Sequence, residues 1–517
     1  METGSMQRKA CRGLAMTLLA AGLGSAQLTM AAPAYKVKSV LVAEDQYQGE
    51  AGVIPRPIYK PHETDASLMP RYWITSNERG AEEGGESVES KGGITILRYA
   101  SNKVLSQINI EDACLPVVNP DGSTYGCAPP GAEGHPRHPH GIDIDAVKGL
   151  AYQVVEHSGL QWNADRTGFE PATSTDEESG LLLVYDIRNP RKPRILEAYV
   201  LGHGAEEVAV NERNGKAYIG NHEPSPTNVP CFVSVIDRAR KASPYIFIDL
   251  PDEYSCVQGI EADEILNQVF GTTHVGEIMF AFDSATDSIA YSVDIRGPFD
   301  NQVTGLTGGV PDDFVLHMHD LTTDILRHRA YQTIHTLAPA QETSEATTDE
   351  EAEITGRWVA EVDVNPASPT FRQVTIIDLS NGQTADAVPS HHDATGPFQE
   401  RFVHAHFVAV DPFRGALLVT GEHTGNLGVV DTRSRNLQQV VAISRPIPGC
   451  VADEDPEPHV HGVNVQTITG RVYVSDEGED CFYESVTILK PRHRTYMTYP
   501  WQGIDDAFFG WPVSIGR

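Results

Sequence analysis

Runs of alternating apolar and polar residues, rich in Val, Ile, Leu and Tyr, recur along most of this chain. Such period-two runs are half-buried strands, and the Gly, Asn and Asp residues that separate them mark turns. Five segments repeat one pattern: HPHGIDIDAVKGLAYQVVEHSG (138–159), HGAEEVAVNERNGKAYIGNHE (203–223), CVQGIEADEILNQVFGTTHVG (256–276), HAHFVAVDPFRGALLVTGEHTG (404–425) and HVHGVNVQTITGRVYVSDEG (459–478). Each reads as a strand, a tight turn and an antiparallel second strand. Two more strands follow, as in 181–200, 231–250, 278–295, 373–389, 427–443 and 485–501, with an earlier copy at 94–110. Four antiparallel strands per unit, at roughly 50 residues per unit, predict an all-β, seven-bladed β-propeller. Eight blades fit if the irregular region 302–389 holds another unit. The first unit is expected to run from Val37 to Ile110. Residues 35–517 read as a single propeller domain with solvated acidic insertions near 80–93 and 342–353.

The histidines change the picture. His140, His406 and His461 share one place in the repeat, just before the first strand, and His138, His404 and His459 sit two residues earlier. His157, His222, His274 and His423 fall at the end of the second strand, and His203 just before its own first strand. A hairpin places the start of one strand beside the end of the other. Eleven of the 20 histidines are therefore expected on one face, in the funnel of the propeller. His135, His391 and His392 lie in loops leading into that face, and His317 and His319 form a further H-x-H in the irregular unit. His62, His328, His335 and His493 fall outside the register and read as surface residues.

Clustered imidazoles suit copper, zinc, iron or nickel. Glu206 takes the place of His140 in its repeat, and Glu477 that of a strand-end histidine. Glu156 and Glu422 precede strand-end histidines, so these carboxylates could orient ligands or act as a base. A His-Gly pair before a strand can also simply cap it, and duplication copies histidines without a use.

Charge and cysteines add a compartment. A net charge of −32 argues against nucleic acid and anionic membranes. After METGS, which reads as residues ahead of the natural start, come Arg8, Lys9 and Arg12 and the apolar stretch 13–23, the pattern of a secretory signal within 1–34. No segment is long and apolar enough to span a bilayer. Six further cysteines, placed in loops, predict three disulfides: Cys114–Cys127, Cys231–Cys256 and Cys450–Cys481. No G-x-S-x-G, P-loop or C-x-x-C-H motif occurs.

With these repeats over roughly 36–505 and this His-rich funnel, the chain resembles the exported YVTN/lactonase-like seven-bladed propellers, most of all the copper-containing thiocyanate dehydrogenases. It is more distantly similar to the propeller domain of nitrous oxide reductases, through Glu457-Pro458-His459, but it has no cysteine pair for a binuclear electron-entry copper. The resemblance implies a periplasmic or secreted copper-dependent oxidoreductase. Its funnel would hold several coppers on His138, His140, His157, His203, His222, His274, His404, His406, His423, His459 and His461. It would oxidise a small inorganic or sulfur-containing substrate, with Glu206 and His203 in catalysis and an external electron acceptor such as a periplasmic cytochrome. The acidic field repels an anion, so bound metal would have to offset it. The competing expectations are a mononuclear iron or zinc enzyme, resembling the four-histidine iron centre of carotenoid-cleaving propellers, and a non-catalytic metal-binding or interaction propeller.

Overall fold

Alternation of apolar residues becomes strand wherever the computed structural model describes the chain. It describes residues 34–492 less the segments 78–91, 129–136, 223–230, 304–314, 338–354, 380–404 and 451–457 and several shorter stretches. Residues 1–33 of the expected signal, the acidic segment 342–353, most of 80–93, and His135, His391, His392, His404, His423 and His493 lie outside the described residues.

Among the described residues, strands form seven four-stranded antiparallel units, at 61–109, 139–200, 205–249, 257–294, 321–378 and 405–442, and a last one at 460–491 that includes Tyr35–Ala43. The first strands of the units pack in a closed ring. Pro61–Ala66 lies against Pro139–Asp145, followed by Ala205–Asn211, Val257–Asp263, Leu321–Asp324, Ala405–Asp411 and Val460–Gln466, which returns to Pro61–Ala66. This is a β-propeller arrangement. The middle strands are buried on both faces, as in Ser179–Asp186, because each sheet is covered by its neighbours. Outer strands such as Ser288–Asp294 are largely exposed. One short helix, Arg296–Gln302, follows the fourth unit and buries Phe299 against Trp358, ring centroids 5.2 Å apart. No helix among the described residues is long and apolar enough to cross a membrane.

Two expectations are corrected. Tyr35–Ala43 does not open the first unit. It pairs antiparallel with Ser485–Pro491, from Tyr35↔Pro491 to Val42↔Ser485, and supplies the fourth strand of the last unit, with Val53–Arg56 paired parallel beyond it. The last unit is thus completed by strands from the two ends of the described residues. In the irregular unit Val374–Asp378 pairs with Thr355–Asp363, a strand the sequence pattern did not mark, and residues 380–389 of the expected pair lie outside the described residues. The alternating run TGRWVAEVD follows the acidic segment directly and was hidden by it.

The three disulfides form as the loop positions predict, Cys114–Cys127, Cys231–Cys256 and Cys450–Cys481. Cys114–Cys127 spans a small hairpin just ahead of His138. Arg137, 3 % exposed, braces that loop by donating to the carbonyls of Ile110, Ala113 and Ala128.

Candidate metal centre

The site grows out of a defect repeated in the inner strands. Ala205 pairs with Asn221, but pairing resumes at Val208↔Ile219, so one extra residue is squeezed into the first strand. The same bulge follows Pro61, Val257, Ala405 and Val460. A related shift follows Pro139. A bulge bends the strand and re-aims its side chains. The residue it turns is His140, Glu206, Gln258, His406 or His461, and in the fifth unit the corresponding place before the strand is His319. By backbone register His62 holds this position in the first unit, so it does fall within the repeat register.

The His-Gly pair has a steric cause. A Cβ on Gly141 would lie 2.6 Å from the Glu206 carbonyl oxygen, and one on Gly259 2.8 Å from that of His319. Glycine lets the bulge of one unit press against the next.

The strand-end register also differs from the sequence alignment. The amides of His222 and His274 bond to the carbonyls of Gly204 and Cys256, while the equivalent bonds to His138 and His459 come from Glu156 and Glu477. Glu156 therefore holds the place of His222, and His157 lies one residue further on, its Nε2 3.6 Å from Glu156 Oε2.

Three groups of side chains result. In the first, Glu156 Oε2 lies 2.7 Å from His138 Nδ1 and 3.4 Å from His140 Nε2, and the two histidine nitrogens are 3.1 Å apart. In the second, Glu206 Oε2 lies 2.9 Å from His222 Nδ1, and both its oxygens are 3.0 Å from Gln258 Nε2. In the third, His406 Nδ1 faces Glu422 Oε2 at 3.3 Å, and His461 Nδ1 faces Glu477 Oε1 at 3.6 Å. His459 bridges Glu422 and Glu477. His319 links the last two groups, its Nε2 2.8 Å from Gln258 Nε2 and 2.7 Å from His406 Nε2. His274 lies tilted against His317, ring centroids 4.0 Å apart, and His222 lies 5.3 Å from His274. His203 sits half-buried in the turn leading into Ala205–Asn211.

Sequence reasoning left His317 and His319 as candidates only and gave Gln258 no role. The bulge register finds Gln258, which follows the first residue of Val257–Asp263, and His319, which holds the matching place two residues ahead of Leu321–Asp324. His328 is not a plain surface residue either: its Nδ1 pairs with Asp263 Oδ2 at 3.0 Å, in a turn at the other end of the hairpins.

Electrostatics follow from packing. Burial opposes ionisation of Glu156, but hydrogen bonds and charge from His138 and His140 outweigh it and hold its carboxyl well below the usual range. Burial likewise opposes Glu206, and His222, His319 and His140 overcome it. His459 is raised well above the usual imidazole range, because Glu422 and Glu477 outweigh its desolvation.

Two groups fit a metal ion: His138 with His140 and Glu156, and His406 with Glu422 and His461. Two ligands each about 2.0 Å from one ion and 90–110° apart are separated by roughly 2.8–3.3 Å. The His138–His140 separation of 3.1 Å and the His406–Glu422 separation of 3.3 Å fall in that range, and Glu156 lies just outside it, 2.7 Å from His138 and 3.4 Å from His140. Imidazole with one carboxylate is a donor set for copper, zinc or iron rather than calcium.

Beneath this ring lie carboxyls that tie neighbouring units together. Glu63 Oε2 accepts from the Ile142 amide at 3.1 Å, Asp143 Oδ2 from Val210 at 2.6 Å and Asp320 Oδ2 from Val408 at 2.7 Å. Burial pushes Glu63 up to about 8, and burial together with the neighbouring Glu63 holds Glu207 well above the usual carboxylate range. A raised acid stabilises the fold fully below its unfolded value of 4.5, and that contribution is lost as pH rises through about 8. The melting temperature of the metal-free protein is therefore expected to fall between about pH 5 and 8. Glu63→Gln, which mimics the protonated acid, should lessen the slope in a pH series of thermal melts. An unchanged slope would contradict the assignment.

The propeller thus carries a histidine- and carboxylate-lined centre at one end of its inner strands. No protein-family model matches the chain, and no curated protein matches it. Among solved structures it is similar to hydrazine synthase from Kuenenia stuttgartiensis, at 12 % identity and a TM-score of 0.48, covering 86 % of this chain and 98 % of that one. It is also similar to the β-propeller domain of Cps50 (Swd1) from Myceliophteria thermophila, at 8 % identity and a TM-score of 0.47, covering 88 % of this chain and 99 % of that one.

Proposed function

We propose that this chain is an exported, copper-dependent oxidoreductase that acts on a small inorganic or sulfur-containing substrate such as thiocyanate. The observation that carries the reading is the convergence of His138, His140 and Glu156, and of His406, Glu422 and His461, at separations suited to one ion each. Three disulfides and a signal-like N-terminus support an oxidising compartment. Bound copper would supply Lewis acidity and a route for electrons to an external acceptor such as a periplasmic cytochrome. The protein's part is to hold and orient. Glu422 and Glu477 fix the ring orientation of His406, His459 and His461. Glu206, kept ionised by His222 and His319, would take a proton from an attacking water, and His203, three residues earlier in the chain, would pass that proton on.

The test is turnover. The mature chain loaded with copper alone should reduce an artificial acceptor when given thiocyanate or a related anion, and the metal-free chain should not. Turnover only with iron or zinc would favour the mononuclear enzyme. Firm metal binding with no turnover of any such anion would favour a non-catalytic metal-binding propeller.

A further inference from the structure

Seven inner strands present one residue each at the bulge position: His62, His140, Glu206, Gln258, His319, His406 and His461. Five are histidines and one is a carboxylate, all metal-ligating types. Gln258 alone brings an amide.

That amide is placed unlike a ligand. Its Nε2 stands 3.0 Å from each Glu206 oxygen and 2.8 Å from His319 Nε2. Two carboxylate oxygens and, in the tautomer with its proton on Nδ1, the His319 Nε2, from the units on either side, thus converge on one point. Acceptors gathered in this way make a cation subsite, and here an N–H donor fills it. The orientation of the amide is set by its nitrogen. Turned over, its oxygen would face a carboxylate. Gln258 Oε1 is itself buried with no hydrogen-bond partner among the described residues. The side chain is 3 % exposed, so water does not reach the point in its place.

We propose that Gln258 sets the number and position of metals in the ring by occupying, with its amide nitrogen, a cation subsite between Glu206 and His319. It keeps Glu206 from sharing an ion with His319 and leaves its carboxylate for His222, 2.9 Å away. The ring is thereby divided into the His138–His140–Glu156 group and the His406–Glu422–His461 group. Gln258 is a specificity-determining residue, and this role rests on the reading that the ring holds metal.

The test compares the wild-type chain with Gln258→His and Gln258→Ala, each stripped of metal, checked by thermal melting, loaded with Cu(II) alone, dialysed and analysed for copper. Gln258→His should retain one more copper per chain than wild type. Gln258→Ala, which opens the point without adding a ligand, should show the same gain at lower affinity. It carries the test if Gln258→His does not fold. A folded Gln258→Ala with the wild-type copper number overturns the proposal, even if Gln258→His gains one, since the added imidazole alone would then explain the gain. If wild type retains no copper and Gln258→Ala retains one, the subsite stands and the proposed native function falls. If none of the three binds copper, both fall.

Discussion

Replacing His406 with alanine should remove one bound copper per chain and lower turnover at least about 100-fold, since loss of an outer partner of a ligand alone typically costs 10–100-fold. His406 is 3 % exposed and sits where two groups meet. Its Nε2 faces His319 Nε2 at 2.7 Å, its Nδ1 faces Glu422 at 3.3 Å, and its ring lies 4.6 Å from that of His461. Alanine deletes both nitrogens, while the His138–His140–Glu156 group keeps all its donors. Metal analysis should therefore show a loss of one, not of all. His328→Ala is the control. That histidine pairs with Asp263 at the far turn, so its loss should leave the copper number unchanged. Equal metal content in wild type and His406→Ala would place the metal elsewhere.

Deleting Tyr35–Ala43 should leave no folded monomer. In that strand Tyr35, Val40, Leu41, Val42 and Ala43 are all at most 1 % exposed, and the Tyr35 hydroxyl donates to Asp411 at 3.0 Å. Without it, Ser485–Pro491 becomes a bare edge that other chains can pair with. A graded version is Leu41→Ala, expected to cost about 2–5 kcal/mol in chemical unfolding. A truncated chain that elutes as a monomer and unfolds cooperatively would show that closure by the N-terminal strand is dispensable.

Strands were easy to read because the middle strands, such as Ser179–Asp186, are rich in apolar residues and buried throughout. The closure was not, because it joins residues more than 400 positions apart, such as Leu41 and Val486, and no local pattern marks the pair. The histidine face was legible from the repeat, and so were the disulfides. Which residues meet was not. That depends on the bulge, which a sequence shows only as a His-Gly pair whose cause lies in the neighbouring unit. The one-residue shift between His157 and Glu156 has the same origin. Gln258 went unnoticed because an amide carries no chemistry until the acceptors around it are seen.

The measurement that bears most directly on the central claim is elemental analysis of the untagged mature protein, purified from an exporting host after copper supplementation. The account predicts two or more coppers per chain, at least one lost in His406→Ala. No retained metal, or a single iron or zinc, would contradict it.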